Sequence, residues 1–202
     1  MLDPVQHTFQ SAEFRSMVAN ALLFFENTPI HSLPLSQTFV DSGVYALYYL
    51  GNYPLYAPIS LHNQSSCILP IYVGKAVPPG WRTSRSPNAT APTLFNRLQE
   101  HARSIQQGAD IHVAHFRCRF MILNVPESDL ITVIEAELIR RFKPLWNSTV
   151  DGFGNHDPGV GRKDQAKSEW DILHPGRLWA EKLIKTATTR EVIIAKVRQI
   201  LA

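Results

Sequence analysis

Gly43-Val44-Tyr45-Ala46-Leu47-Tyr48-Tyr49-Leu50 and, further along, Ile71-Tyr72-Val73-Gly74-Lys75 are the two stretches that decide the fold. Between Gly43 and Gly74 the chain has no Asp, Glu, Lys or Arg, and both ends of that interval are rich in the aromatic and β-branched residues that buried strands favour. The pattern predicts two neighbouring strands of one small sheet. A tyrosine stands at the same relative place in each, and a buried phenol has to find a hydrogen-bond partner. Tyr45 and Tyr72 are therefore either ordinary amphipathic strand residues or two hydroxyls that converge on one spot.

The 202 residues suit one domain of generous size or a core with a small appendage. At 45% hydrophobic and 18% charged residues, the composition is that of an ordinary globule and not of a disordered chain. No apolar run approaches membrane-spanning length, and the N-terminus lacks the basic region, apolar run and cleavage site of a secretory signal. A cytoplasmic protein without membrane contact is expected. Cys67 and Cys118 make no disulfide framework and read as free thiols, so the sequons at Asn63, Asn88 and Asn147 carry no consequence.

The net charge of +3 says little, but its distribution says more. Residues 1–42 carry Asp3, Glu13, Glu26 and Asp41 against Arg15, whereas residues 75–103 carry Lys75, Arg82, Arg85, Arg97 and Arg103 against Glu100. The basic half begins at the second tyrosine motif. It fits a surface facing phosphates, or a solvated face that happens to be basic.

Working outward, residues 10–27 repeat Phe14, Met17, Val18, Ala21, Leu22 and Phe25 at helical spacing and end at Thr28-Pro29. Residues 51–69, with Pro54, Pro58, Asn63, Ser65 and Ser66, read as an irregular insertion, and residues 76–92 as a second inserted loop with Arg82 and Arg85 among small polar residues. A helix is predicted over 93–107, capped by Thr93 or Thr90, on which Arg97 and His101 are four apart and share a face. Two charged groups there repel, which disfavours a purely structural pairing. Residues 111–124 read as a third strand. His112, His115 and Cys118 match no closed zinc site, so no zinc is expected.

Residues 127–142 read as a helix with acids in its first turn and Arg140 and Arg141 in its last. Glu137 is explained as their surface partner. Glu135 differs, because it falls inside the apolar stripe between Ile131, Leu138, Ile139 and Phe142, where a carboxylate needs a partner. The helix runs into Lys143-Pro144-Leu145-Trp146-Asn147. Beyond it, residues 151–163 are glycine-rich but lack a phosphate-loop pattern, and two closing helices are predicted over 168–185 and 189–201. Asn155, His156, Arg162 and Lys163 are of types that read base edges or grip phosphates, or simply decorate a surface loop.

Gly43-Val44-Tyr45 followed by Tyr72-Val73-Gly74 resembles the paired signature of the GIY-YIG nucleases. The words Leu69-Pro70-Ile71-Tyr72-Val73-Gly74-Lys75-Ala76-Val77-Pro78, Lys143-Pro144-Leu145-Trp146-Asn147 and Val150-Asp151-Gly152-Phe153-Gly154-Asn155-His156 resemble in particular the branch of type II restriction endonucleases that cut CCGCGG. His101 is shared with that branch. The long 51–69 insertion departs from the family's short connection and puts a simple hairpin in doubt, not the pairing of the strands.

The resemblance implies an α+β fold: a small, three-stranded, mixed or antiparallel sheet flanked by helices. An N-terminal helical arm (1–42) would precede the nuclease core (43–150), and a C-terminal loop-and-helix extension (151–202) would follow within one structural domain. It implies Tyr45, Tyr72, Arg97, His101, Glu135 and Asn147 as catalytic residues, with Tyr45 the general base, Arg97 on the scissile phosphate, Glu135 holding one Mg²⁺, and Asn147 supporting the site. Lys75, Arg82, Arg85, Asn155, His156, Arg162 and Lys163 are expected to meet double-stranded DNA. One site per chain and a palindromic target imply a homodimer. A homing or repair nuclease of the same family, or a catalytically silent DNA-binding protein on the same fold, are the alternatives. No separate DNA-binding module speaks for the first, and a glutamate in an apolar stripe speaks against the second.

Overall fold

The computed structural model describes residues 2–78, 80–81, 91–157 and 165–202. Its centre is a four-stranded antiparallel sheet in the order β1-β4-β2-β3, with β1 His31–Ser32, β2 Gly43–Tyr49, β3 Tyr72–Ala76 and β4 Phe116–Ile122. The α+β class with an antiparallel sheet is as expected. The additional strand is the two-residue β1, too short to leave a periodic signal in the sequence.

β2 is the inner strand between β3 and β4, which explains its uninterrupted apolar run: every one of its residues is buried. Tyr45, Leu47 and Tyr49 enter one core cluster, and Val44, Ala46 and Tyr48 the other. The second cluster lies under α1 (Ala12–Asn27) and α4 (Ile131–Phe142). The first is covered by α3 (Thr93–Gln107) and by the C-terminal segment.

Trp146 joins these parts. It stands in α5 (Leu145–Ser148), is 2% exposed, and packs on Phe116, Phe153 and Trp170, so that core and C-terminal extension share one cluster. Truncating such a residue to alanine costs about 3–5 kcal/mol.

Three local expectations are corrected. The 51–69 insertion is not irregular throughout: a short 3₁₀ turn (Pro54–Tyr56) leads into α2 (Ala57–Asn63), with each proline in a first turn, where its missing N–H is harmless. Residues 168–185 are not one helix. α6 spans Glu169–Leu173 and a separate 3₁₀ turn spans Ala180–Lys182, because Pro175 follows the helix end and Gly176 has φ 132° with no room for a Cβ, which would lie 1.9 Å from the Gln107 carbonyl oxygen. α3 takes no threonine cap. Pro92 occupies the N-cap, and Thr93 Oγ1 donates instead to the Asp41 carbonyl at 2.9 Å; Thr90 lies outside the described residues.

α7 (Arg190–Leu201) closes the chain near its expected position. Cys67 and Cys118 are free and buried. Among the described residues no helix is long and apolar enough to cross a membrane.

Candidate active site

Tyr45 pairs with Gly74 across the β2–β3 ladder, and Leu47 with Tyr72. The two tyrosines are thus diagonal neighbours on one face of the sheet, with ring centroids 6.2 Å apart. Gly74 makes this possible: a Cβ there would sit 2.4 Å from Tyr45 Oη. β3 is an edge strand, so the pair lies where the sheet meets its surroundings.

α3 passes over that face. Tyr45 Oη and His101 Nε2 are 2.6 Å apart, both residues are buried, and Phe153 stacks on the imidazole with centroids 4.6 Å apart. Burial pushes the Tyr45 phenol well above its ordinary range, with the neighbouring Tyr72 adding to the shift and Arg97 opposing it. Burial and then Arg97 hold His101 well below the ordinary imidazole range. Near neutrality the site therefore contains a protonated phenol beside a neutral imidazole. The repulsion expected between Arg97 and His101 is real, and it is avoided by leaving the histidine uncharged.

Arg97, one turn before His101, is gripped from several sides. Its Nη1 donates to Glu100 Oε2 at 3.0 Å and to His156 Nε2 at 2.6 Å, and its Nη2 donates to the Gly154 carbonyl at 2.9 Å. The guanidinium also bears electrostatically on both Tyr45 and Tyr72. His156, read from sequence as a DNA contact, thus lies on Arg97. A close approach of backbone is required here too, since a Cβ on Gly154 would lie 2.8 Å from Tyr72 Oη.

Glu135 finds its partner in Lys75: Nζ is 2.6 Å from Oε2, and the Lys75 side chain is 31% and the Glu135 side chain 18% exposed. Lys75 follows Gly74 in β3 and so points to the α4 face, the opposite side of the edge strand from Tyr72. The carboxylate in the apolar stripe is therefore a charged group paired with Lys75 on the α4 side of the strand, bearing on Tyr45 and Tyr72 only electrostatically, not a core residue bonded to backbone. Glu137 pairs with Arg140, while Arg141 reaches Glu26 at 3.0 Å.

Asn147 holds the edge strand. Its Oδ1 accepts from the Val73 N–H and its Nδ2 donates to the Val73 carbonyl, both at 2.8 Å, so the side-chain amide pairs with the strand as a further ladder residue would. It bears on the site through Val73, which stands between Tyr72 and Gly74.

Arg82, Arg85, Arg162 and Lys163 lie outside the described residues. Sequence reasoning missed Asp171 and Arg177, a buried pair whose arginine bonds the carbonyls of Gly152, Phe153 and Asn155, and Tyr56, whose hydroxyl lies 2.6 Å from His174 Nε2 and accepts from Trp146 Nε1 at 3.0 Å. The His174-Pro175-Gly176 breaker was the available signal, since it marks a turn from which Arg177 can point inward.

Two tyrosines on adjacent antiparallel strands come together with an arginine and a histidine on the following helix, with a glutamate of α4 across the edge strand, and the Eco29kI GIY-YIG domain model matches residues 37–201. The chain belongs to that family. It is a restriction-type GIY-YIG nuclease, and DNA is the polymer that such a domain engages. No curated protein matches the chain.

Nucleases of the GIY-YIG class generally use divalent metal ions. Among the described residues no group of three or more His, Cys, Asp or Glu could hold a metal. Glu135, on the α4 side of the edge strand, already faces a cation, the Lys75 ammonium. A single carboxylate suits a hard ion that keeps most of its waters and takes further oxygens from a phosphate.

Proposed function

We propose that this chain is a type II restriction endonuclease that hydrolyses both strands of a GC-rich palindrome, CCGCGG, as a homodimer with one magnesium ion per active site. The observation that carries the chemistry is the 2.6 Å contact between the Tyr45 hydroxyl and His101 Nε2.

A phenol that burial keeps protonated cannot act as a base by itself. With the imidazole neutral and its proton on Nδ1, Nε2 accepts the phenolic proton as Tyr45 Oη takes one from the attacking water. The phenol stays formally neutral, the imidazole becomes imidazolium, and the hydroxide equivalent bonds to phosphorus as the bond to the sugar oxygen opposite it breaks; that oxygen leaves as an alcohol with a proton from solvent, and the imidazolium returns its proton to solvent as the products depart. Tyr72 lies beside Tyr45 and orients the water. Arg97, fixed in advance by Glu100, Gly154 and His156, meets the non-bridging oxygens as negative charge builds. Glu135 is the residue that would hold Mg²⁺, with Lys75 its partner in the free protein. The bound ion supplies positive charge to the reacting phosphate. Asn147 supports the site by keeping β3 in register.

Lys75, Asn155, His156, Arg82, Arg85, Arg162 and Lys163 are the positive and polar groups proposed to meet DNA; of these, His156 lies on Arg97. One site cuts one strand, so a palindrome calls for two chains related by a twofold axis.

Digestion of a plasmid carrying CCGCGG, with magnesium and with chelator, followed by sequencing of the product ends, tests the proposal. Magnesium-dependent fragments with all ends at that site are expected. Ends scattered over unrelated sequences overturn the assigned target, and nicks confined to one strand overturn the dimer.

A further inference from the structure

The C-terminal segment is tied to the active site through one buried arginine. Asp171 and Arg177 side chains are each 1% exposed, with Arg177 Nε 2.6 Å from Asp171 Oδ1 and Nη2 2.8 Å from Oδ2. The guanidinium lies over the Trp170 and Trp179 rings, 4.5 and 4.8 Å from their centroids. Its other bonds run to backbone: Nη1 donates to the carbonyls of Phe153 at 3.1 Å and Asn155 at 3.3 Å, and Nη2 to that of Gly152 at 2.9 Å. Every donor of the guanidinium is thereby used.

Stability alone does not call for this arrangement, since apolar replacement of a buried ion pair is often neutral or favourable. The location of the bound carbonyls is the informative part. They flank Gly154, whose own carbonyl faces Arg97 Nη2 at 2.9 Å, and they precede His156, whose Nε2 meets Arg97 Nη1 at 2.6 Å. One arginine holds the loop from behind while the loop holds the other arginine in front.

We propose that Arg177 is a positioning residue for cleavage: by gripping Gly152, Phe153 and Asn155 it sets the Gly154 carbonyl and the His156 ring against Arg97, and so fixes the direction in which Arg97 presents its donors to a phosphate. This rests on the nuclease reading of Arg97. A long, rotamer-rich side chain aimed beforehand needs no reorganisation as charge develops. Lysine at 177 keeps the charge opposite Asp171 but lacks the planar fork needed to reach three carbonyls.

The test compares Arg177→Lys, Arg97→Lys and the double variant in single-turnover cleavage of the CCGCGG plasmid. DNA affinity is measured without magnesium, and the chemical shifts of the His156 ring are followed by NMR at one pH. The expected result for Arg177→Lys is a rate reduced roughly tenfold to a hundredfold, with affinity nearly unchanged and displaced His156 ring resonances. On the Arg97→Lys background the second substitution removes no further rate, because the two act through one group.

Full cleavage by Arg177→Lys, an equal loss on both backgrounds, or unmoved His156 ring resonances overturns the proposal. Should Arg177→Lys not fold, Trp179→Leu, which removes one ring from the guanidinium, reads the same three quantities. If the wild-type protein cuts no DNA, the nuclease reading falls while the His156 ring resonances still decide whether Arg177 positions the loop.

Discussion

The Tyr45 hydroxyl lies 2.6 Å from His101 Nε2, and the two residues are 0% and 2% exposed. Seclusion acts on each in opposite senses, raising the phenol's pKa and lowering that of the imidazole. A proton moved from the first to the second creates charge in a poorly solvated place, so the step waits for the phosphate and its neutralising groups. This is a physical reason for a nuclease to remain quiescent without DNA.

Gly74 sets the room in which that bond forms. Gly74→Ala puts a Cβ 2.4 Å from Tyr45 Oη, and the phenol must move away from His101. An overpacked core position costs about 1–3 kcal/mol. The expected outcome is a lower melting temperature together with loss of cleavage; an unchanged melting temperature and full activity would show that the site tolerates the displacement.

Asn147 gives the edge strand two hydrogen bonds through Val73. Asn147→Ala leaves those backbone groups without their partner and costs about 1–3 kcal/mol in urea unfolding. Asn147→Asp is worse, because a carboxylate oxygen then faces the Val73 carbonyl. Equal stability of the aspartate variant and the wild type would contradict the assignment.

His174 predicts an acid sensitivity. Burial, then Arg190, holds its pKa down to about 3, against an ordinary value of about 6.5. The unfolded chain takes up a proton as pH falls through about 6.5, whereas the folded one does not until about 3. This contribution is therefore complete above pH ~6.5 and is lost on acidification at up to about 1.4 kcal/mol per pH unit within that window. His101, depressed by burial, acts in the same direction. Urea midpoints at pH 7.5 and 5 are expected to differ less for His174→Gln than for the wild type, and identical pH slopes would rule the mechanism out.

Glu135 is the residue assigned to the ion. Glu135→Gln keeps the size and loses the charge, so it is expected to bind DNA and to cut it slower by a few kcal/mol of barrier, about a hundredfold or more. Cleavage and affinity measured over a magnesium series check this; comparable cutting by the variant at equal magnesium removes Glu135 from the metal site.

The tyrosine strands were legible because a central strand buried on both faces writes a continuous apolar run, and because Tyr-Val-Gly is a short word with a steric reason in Gly74. Glu135 was legible as a charge inside an apolar stripe. Its partner Lys75 was not, since pairing across an edge strand depends on which face the lysine takes. β1 is too short for any periodicity, and Pro54 and Pro58 suggested disruption although prolines also begin helices. Asp171 and Arg177 stayed hidden because both are charged residues that sequence alone assigns to the surface; only the folded loop at 152–155 supplies the carbonyls that bring the arginine inside.

The central claim is that Tyr45 relays the proton of the attacking water to His101, and single-turnover cleavage by Tyr45→Phe tests it most directly. The substitution removes one oxygen and leaves the ring packing in place. A loss on the order of 10²–10⁴ in rate is expected, with DNA affinity and fold retained. Cleavage by Tyr45→Phe within a few-fold of the wild-type rate would contradict it.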